Sequence, residues 1–230
     1  MSSSTVTVMP QLEILGPAGR LEALLDAPAA VRTVGADGLL EVGHASGLRA
    51  AVVFAHPHTE YGGTMHTKVV YQAAKALSRI GCAVLRFNFR GAGASAGRFS
   101  NGPGEMDDFR AALDFMTDRY PGARLWTAGM SFGSYIALTV GANDARVTTL
   151  VGIAPPLSRY DFDPIARSTK AKFFIQGERD ELCPLKEMRE FYARCAEPKE
   201  LVVIDGADHL FDGKVSEVAD AIEDLLGDWS

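Results

Sequence analysis

The chain of 230 residues is poor in cysteine, with only Cys82, Cys183 and Cys195. Three scattered thiols make neither a disulfide framework nor a zinc site, and they fit a reducing, cytoplasmic setting. No run of about 18 apolar residues occurs, so no membrane association is expected. The opening "MSSSTVTVMPQLE" has no basic segment followed by an apolar one, so no signal peptide is expected either. Lysine and arginine number 23 against 29 acidic residues, for a net charge of −6, and they form no cluster. Nucleic acids are held largely by basic patches on phosphate, so they are not expected partners. Repeats, low-complexity tracts and long linkers are also missing, and the length suits one α/β domain over residues 1–230.

What is present is a change of pattern near residue 50. Before it, "QLEILGPAGRLEALLDAP" reads as two short strands around a Gly-Pro turn. "VRTVGADGLLEVGHASG" then offers a second turn, at Gly35 to Gly38, between short apolar runs. After it, strand-length apolar runs alternate with helical stretches. The runs are "AAVVFAH", "CAVLRFNF", "RLWTAG", "VTTLVGIA", "KAKFFIQG" and "ELVVIDG", and they show little in–out alternation. That is the mark of strands buried on both faces of a parallel sheet. Between them, "TKVVYQAAKALSRI", "EMDDFRAALDFMTDRY", "SYIALTVGA", "LKEMREFYARCA" and "VSEVADAIEDLL" carry apolar residues at helical spacing. The alternation predicts an open α/β sheet with helices on both faces, whose ligands bind beyond the carboxyl ends of the strands.

The loops at those ends hold the reactive residue types. "TAGMSFGSYI" sets Ser131 between a strand and a helix, flanked by glycines. A lone Gly-x-Ser-x-Gly is weak, because serine and glycine also start helices. In a tight strand-to-helix turn, however, the hydroxyl is pushed clear of the sheet. The Phe132 N–H then sits at a helix start, where it can donate to a developing oxyanion. A serine nucleophile needs a base. Of the five histidines, only His209 follows the serine, in a loop just past a strand. The base needs a carboxylate, and "GERDELCP" offers Glu178, Asp180 and Glu181. Asp180 is selected because it lies three residues past the glycine that ends its strand. Glu178 and Glu181 are expected to face solvent, and Asp205 and Asp208 are too near His209 in sequence to point at its ring. The order Ser131, Asp180, His209 is that of a hydrolase triad. "VVFAHPHTEYGG" supplies a second oxyanion donor. Pro57 has no N–H, so the donor is His58 or, second, Thr59. His56 and His58 form an H-x-H pair, but no third ligand is evident, and no metal or cofactor is expected.

With these residues in view, the chain resembles the α/β-hydrolase superfamily, in the small lidless branch near dienelactone hydrolases and serine-aminopeptidase-like hydrolases. The likeness rests on "HPHTEYGGTMHTKVV", "LRFNFRGAGASAGRF", "GMSFG", "GERDELCP" and "GADHLF". It implies a mostly parallel, eight-stranded sheet with antiparallel first strands, and a triad of Ser131, Asp180 and His209. Arg90, Gly91 and Gly93 match a structural turn of the family. Dienelactone hydrolases use a cysteine nucleophile, so Ser131 argues against that activity. The stretch 31–47 is longer than the usual connection.

"PPLSRYDFDPIARST" is too short for a cap domain, so an open site is expected. Tyr61, Met65, Phe99, Phe132, Tyr160, Leu182 and Phe211 are the candidate lining residues. The function expected is hydrolysis of a small-molecule ester, as a carboxylesterase on short acyl groups, by a monomer or homodimer. A thioesterase, an aminopeptidase-like hydrolase or a binding module on a hydrolase scaffold are the competing readings.

Overall fold

The structure, a computed structural model, describes residues 11–28, 32–34, 40–42 and 47–229. Strands β1 (Gln11–Gly16) and β2 (Gly19–Asp26) form an antiparallel hairpin. Its turn closes on Gly19, at φ 114°, a conformation open to glycine. Strands β3 (Arg32–Val34) and β4 (Leu40–Val42) pair antiparallel with each other. The predicted turn at Gly35 to Gly38 lies outside the described residues, as does most of the stretch 31–47.

The remaining strands are β5 (Ala50–Ala55), β6 (Cys82–Phe87), β7 (Leu125–Met130), β8 (Val147–Ile153), β9 (Ala171–Gly177) and β10 (Lys199–Ile204). The main sheet has eight strands in the order β1-β2-β6-β5-β7-β8-β9-β10. β2 runs antiparallel to β6, and the six strands from β6 to β10 are mutually parallel. Every residue of β5, β6, β7 and β9 is buried. The missing alternation in their sequences therefore comes from helices on both faces.

Those helices are α1 (Lys68–Arg79), α2 (Pro103–Arg119), α3 (Phe132–Asn143), α4 (Asp163–Arg167), α5 (Leu185–Arg194) and α6 (Val215–Leu226). Alternate residues of β5 feed two separate cores. Ala51, Val53 and Ala55 face α2 and α3, while Val52 and Phe54 face α1 and α6. α2 starts two residues before the predicted segment, with Pro103 in its first turn, where the missing N–H costs nothing. α4, five residues long, is all the helix between β8 and β9.

Where the hairpin joins the parallel strands, a charge cluster is buried. Asp26 accepts from Arg86 Nε at 2.7 Å, and Arg86 Nη1 donates to Met65 O at 2.8 Å. Lys75 Nζ comes to 2.7 Å of the other Asp26 oxygen, out of hydrogen-bonding alignment. The cluster ties β2 to β6 and α1.

Candidate active site

The chain turns from β7 into α3 at Ser131, whose φ of 53° and ψ of −124° lie outside the regions favoured by residues other than glycine. Such a conformation costs roughly 1–3 kcal/mol and persists only when its surroundings enforce it. Here the Ser131 N–H donates to Ile153 O at 2.8 Å. Its carbonyl accepts from the Ser134 N–H at 2.9 Å and from Ser134 Oγ at 2.6 Å. The flanking glycines are steric requirements. A Cβ on Gly129 would collide with the Gly133 carbonyl, and one on Gly133 with the Ala55 and His56 carbonyls.

Three strand ends meet at this turn. His209, after β10, places Nε2 at 2.9 Å from Ser131 Oγ. Its Nδ1 lies 2.8 Å from Asp180 Oδ2, after β9. The carboxylate can only accept, so Nδ1 carries the hydrogen and Nε2 is left to accept from the serine. Asp180 is almost wholly buried, and every lone-pair direction it needs is used. Oδ1 accepts from the Leu182 and Cys183 N–H groups at 2.9 and 2.8 Å, and Oδ2 also accepts from Gln176 Nε2 at 2.9 Å.

Gln176 is a residue that sequence reasoning passed over. It is fully buried in β9 and also donates to Cys183 O at 2.7 Å, so it braces Asp180 against the following loop. A polar residue inside the apolar run "FFIQG" was the available signal. Two carboxylates set aside as ligands of His209 hold its loop instead. Asp208 accepts from the Leu210 and Asp212 N–H groups, and Glu178 accepts from the Gly206 N–H at 2.9 Å.

The loop after β5 is built around His56. The Phe89 N–H donates to His56 Nε2 at 3.0 Å, so Nδ1 holds the ring hydrogen and donates to Pro57 O at 2.6 Å. Burial lowers the His56 pKa to about 4, with the Pro57 hydrogen bond opposing the shift, so the ring is neutral at pH 7. Because a peptide is planar and trans, fixing Pro57 O on one side fixes the His58 N–H on the other. Among the described residues, the N–H groups of His58, Thr59 and Phe132 donate no hydrogen bond. Of these, His58 and Phe132 share the lining of a hollow with Ser131, and Thr59 does not. The His58 ring packs on Phe99 at 4.3 Å, Tyr61 at 4.7 Å and Phe132 at 5.1 Å. Burial lowers its pKa as well, with Glu60 and Glu105 opposing and Arg159 reinforcing the shift. Both ring nitrogens of His56 are engaged internally, so the H-x-H pair does not present two free ligands.

Ser131 opens into two connected hollows. The larger, about 660 Å³, runs past His209, Leu210, Asp208, Glu181 and Arg179. The smaller, about 340 Å³, runs over Phe132, Tyr160, Pro156 and Arg159. His58, Tyr61 and Leu182 border both. Of the candidate lining residues, Tyr61, Phe132, Tyr160 and Leu182 do line the cleft. Met65 does not. It is 1% exposed, a core side chain whose N–H donates to Asn88 Oδ1. Phe211 is likewise buried, in the core beneath α6. Phe99 lines neither hollow and backs the His58 ring from behind. In all three cases aromatic or apolar character served packing, which sequence cannot separate from lining. Arg159, Arg179 and Leu210 were missed, since nothing in a loop sequence distinguishes a cleft-facing residue from a solvent-facing one. Cys183 is buried, and desolvation pushes its thiol up to about 12, so it stays protonated at neutral pH. Among the described residues, no helix is long and apolar enough to cross a membrane.

In sequence and fold the chain is similar to known proteins. A family model described as serine aminopeptidase, S33, matches residues 46–172. An uncharacterized protein of Rickettsia prowazekii is 34% identical over 227 residues, covering 95% of this chain and 89% of its own. Among solved structures, an alpha-beta serine hydrolase homologue from Coxiella burnetii superposes with a TM-score of 0.84 at 33% identity, over 97% of this chain and 100% of that one. A lidless α/β serine hydrolase from Xanthomonas campestris gives 0.83 at 32% identity, over 97% and 95%.

Proposed function

Because the chain belongs to the serine aminopeptidase S33 family of α/β hydrolases, we propose that it hydrolyses carboxylic esters through an acyl group carried on Ser131. The observation that supports this most is the unbroken run of hydrogen bonds from Asp180 through His209 to Ser131 Oγ, ending beside unused N–H groups at a helix start. In the reaction, His209 Nε2 takes the hydroxyl proton as Ser131 Oγ bonds to the ester carbon. The carbonyl oxygen gains negative charge and is held by the N–H groups of Phe132 and His58. Asp180 stabilises the imidazolium without itself taking the proton. His209 then gives that proton to the departing alkoxide oxygen as the carbon–oxygen bond breaks. Water, deprotonated by the same histidine, releases the acid and restores the serine.

On this reading the two hollows take different parts of the ester. The leaving group must stand where His209 can protonate it, so it occupies the hollow bordered by His209. The acyl group then extends the other way, over Phe132 and Tyr160. This division also bears on peptidase activity. A peptidase releasing N-terminal residues needs acidic groups around the free amine, which belongs to the acyl part. Glu181 and Asp208 border the leaving-group hollow instead, and the acyl hollow carries Arg159 as its one charged lining residue.

Treatment with a fluorophosphonate, followed by intact-mass measurement, tests the reading. One adduct is expected, absent in Ser131→Ala. Matched ester, thioester and aminoacyl anilide substrates should then be turned over in that order of preference. Folded protein that takes up no adduct would overturn the reading in favour of a binding module.

A further inference from the structure

Resting on that ester-hydrolase reading, we infer that the acyl hollow is built for an acyl group that ends in an anion, a half-ester of a dicarboxylic acid, with Arg159 as the residue that selects it. Arg159 is the one charged side chain on the lining of that hollow. Its guanidinium makes no ion pair or hydrogen bond among the described residues. Several other arginines of the fold are committed, although Arg179 in the larger hollow is unpaired among the described residues as well. Arg86 is bound to Asp26, Arg90 to Asp108, Arg146 to Asp144 and Asp114, and Arg194 to Asp163.

The charge is felt inside the cleft. Arg159 contributes to lowering the pKa of His58, and it opposes the rise in that of Tyr160. Glu105, a buried carboxylate whose charge acts on both rings, makes no ion pair with Arg159. Glu105 already accepts from the Ser100 N–H, Ser100 Oγ and the Gly102 N–H at 2.7–2.9 Å. Ser131 and Arg159 line this hollow together with the rings of Phe132 and Tyr160, 5.9 Å apart. A chain leaving the Ser131 ester into this hollow therefore has apolar rings and one unpaired cation to meet. A carboxylate at that end gains a charge-assisted contact that a methyl group does not. The leaving-group hollow is different. There Arg179 shares the lining with both Glu181 and Asp208, so one positive charge faces two negative ones and an anionic alcohol is not favoured.

The test compares monoethyl succinate, glutarate and adipate with the uncharged ethyl esters that carry a methyl in place of the carboxylate, by titrating released acid at constant pH. The readout is the kcat/KM of each half-ester divided by that of its uncharged match. For the best half-ester, Arg159→Gln is expected to lower this ratio about tenfold or more. Arg159→Lys should recover part of the loss, because the cation remains. Added salt should lower the wild-type ratio, because the arginine is exposed to solvent. A ratio that Arg159→Gln leaves unchanged while uncharged esters are hydrolysed would overturn the inference alone. So would a ratio that responds to Arg179→Gln instead, which would reverse the two hollows. Failure to hydrolyse any ester, charged or not, would overturn the ester-hydrolase reading beneath it.

Discussion

At the scale of single residues, Ser131 and His56 are held in states that each would avoid in isolation. The strained serine backbone is enforced by Ile153 O and Ser134, and the neutral histidine by burial. His56 is a positioning residue, since it reaches the reaction only through the Pro57–His58 peptide. His56→Leu should lower kcat for ethyl butyrate by about tenfold or more, short of the 10²–10³ typical of losing a donor outright. KM should change little, because the oxyanion forms after binding.

The same histidine makes stability depend on pH. Unfolded histidine titrates near 6.5, whereas folded His56 does so at about 4. As pH falls from 6.5 towards 4, the unfolded chain takes up a proton that the folded one refuses, so stability is lost. The loss from this one group reaches up to about 3 kcal/mol. His58 is shifted in the same direction and adds to it. Urea midpoints at pH 7 and pH 4.5 should therefore move apart less in His56→Leu than in the wild-type protein.

Legibility at this scale followed chemistry. Ser131, His209 and Asp180, which the structure brings into one hydrogen-bonded run, could be named as candidates because a nucleophile, its base and an orienting carboxylate are constrained in type, order and distance from a strand end. Gln176 was passed over although its partners Asp180 and Cys183 are near in sequence, because nothing local says which way a buried amide points. For His56 a loop-shaping role was legible, but its partner Phe89, 33 residues away, was not.

Among the elements, the junctions carry the tightest constraints. β5, β7 and α3 approach so closely that the site depends on Gly133 having no side chain. Gly133→Ala would drive its Cβ against the Ala55 carbonyl, at 2.5 Å. A cost on the order of 3 kcal/mol is expected, together with slower fluorophosphonate labelling of the fraction that folds. A thermal melt and a labelling time course would read the two effects separately. At the other seam, Asp26→Ala would leave Arg86 buried without its carboxylate, and the loss expected in urea denaturation is about 3–5 kcal/mol.

The elements were well marked in sequence where burial is two-sided. β5, β6, β7 and β9 are buried throughout and mostly apolar because helices cover both faces. The hairpin of β1 and β2 was marked by its Gly-Pro turn. α4 was not marked at all, since five residues are too few for a helical period to show. The partners across the sheet were equally hidden, because β5 lies between β6 and β7 for reasons of crossover connection that no local pattern encodes.

For the molecule as a whole, the division of labour is by location. The sheet and its two cores fix three strand ends, and the loops leaving those ends carry the chemistry. The superfamily could be recognised because its motifs fall at those ends in a set order. The lining of the cleft could not, as Met65 and Phe211 illustrate. Both lie next to motif residues in sequence, yet their side chains point into the core.

The cleft is bordered by Tyr61, Leu182 and Leu210, all solvent-exposed, and the connection from β8 to β9 folds into nothing larger than α4. In the proposed reaction, an acyl group waiting on Ser131 would thus be in open exchange with the medium. Which nucleophile takes it becomes a question of supply more than of selection. With methanol added in rising amounts, methyl ester should form at the expense of free acid in proportion to the alcohol-to-water ratio. Chromatography of the two products would measure that partition. A protein of this shape can enforce where the acyl group sits, but it leaves the acceptor to be chosen by its surroundings.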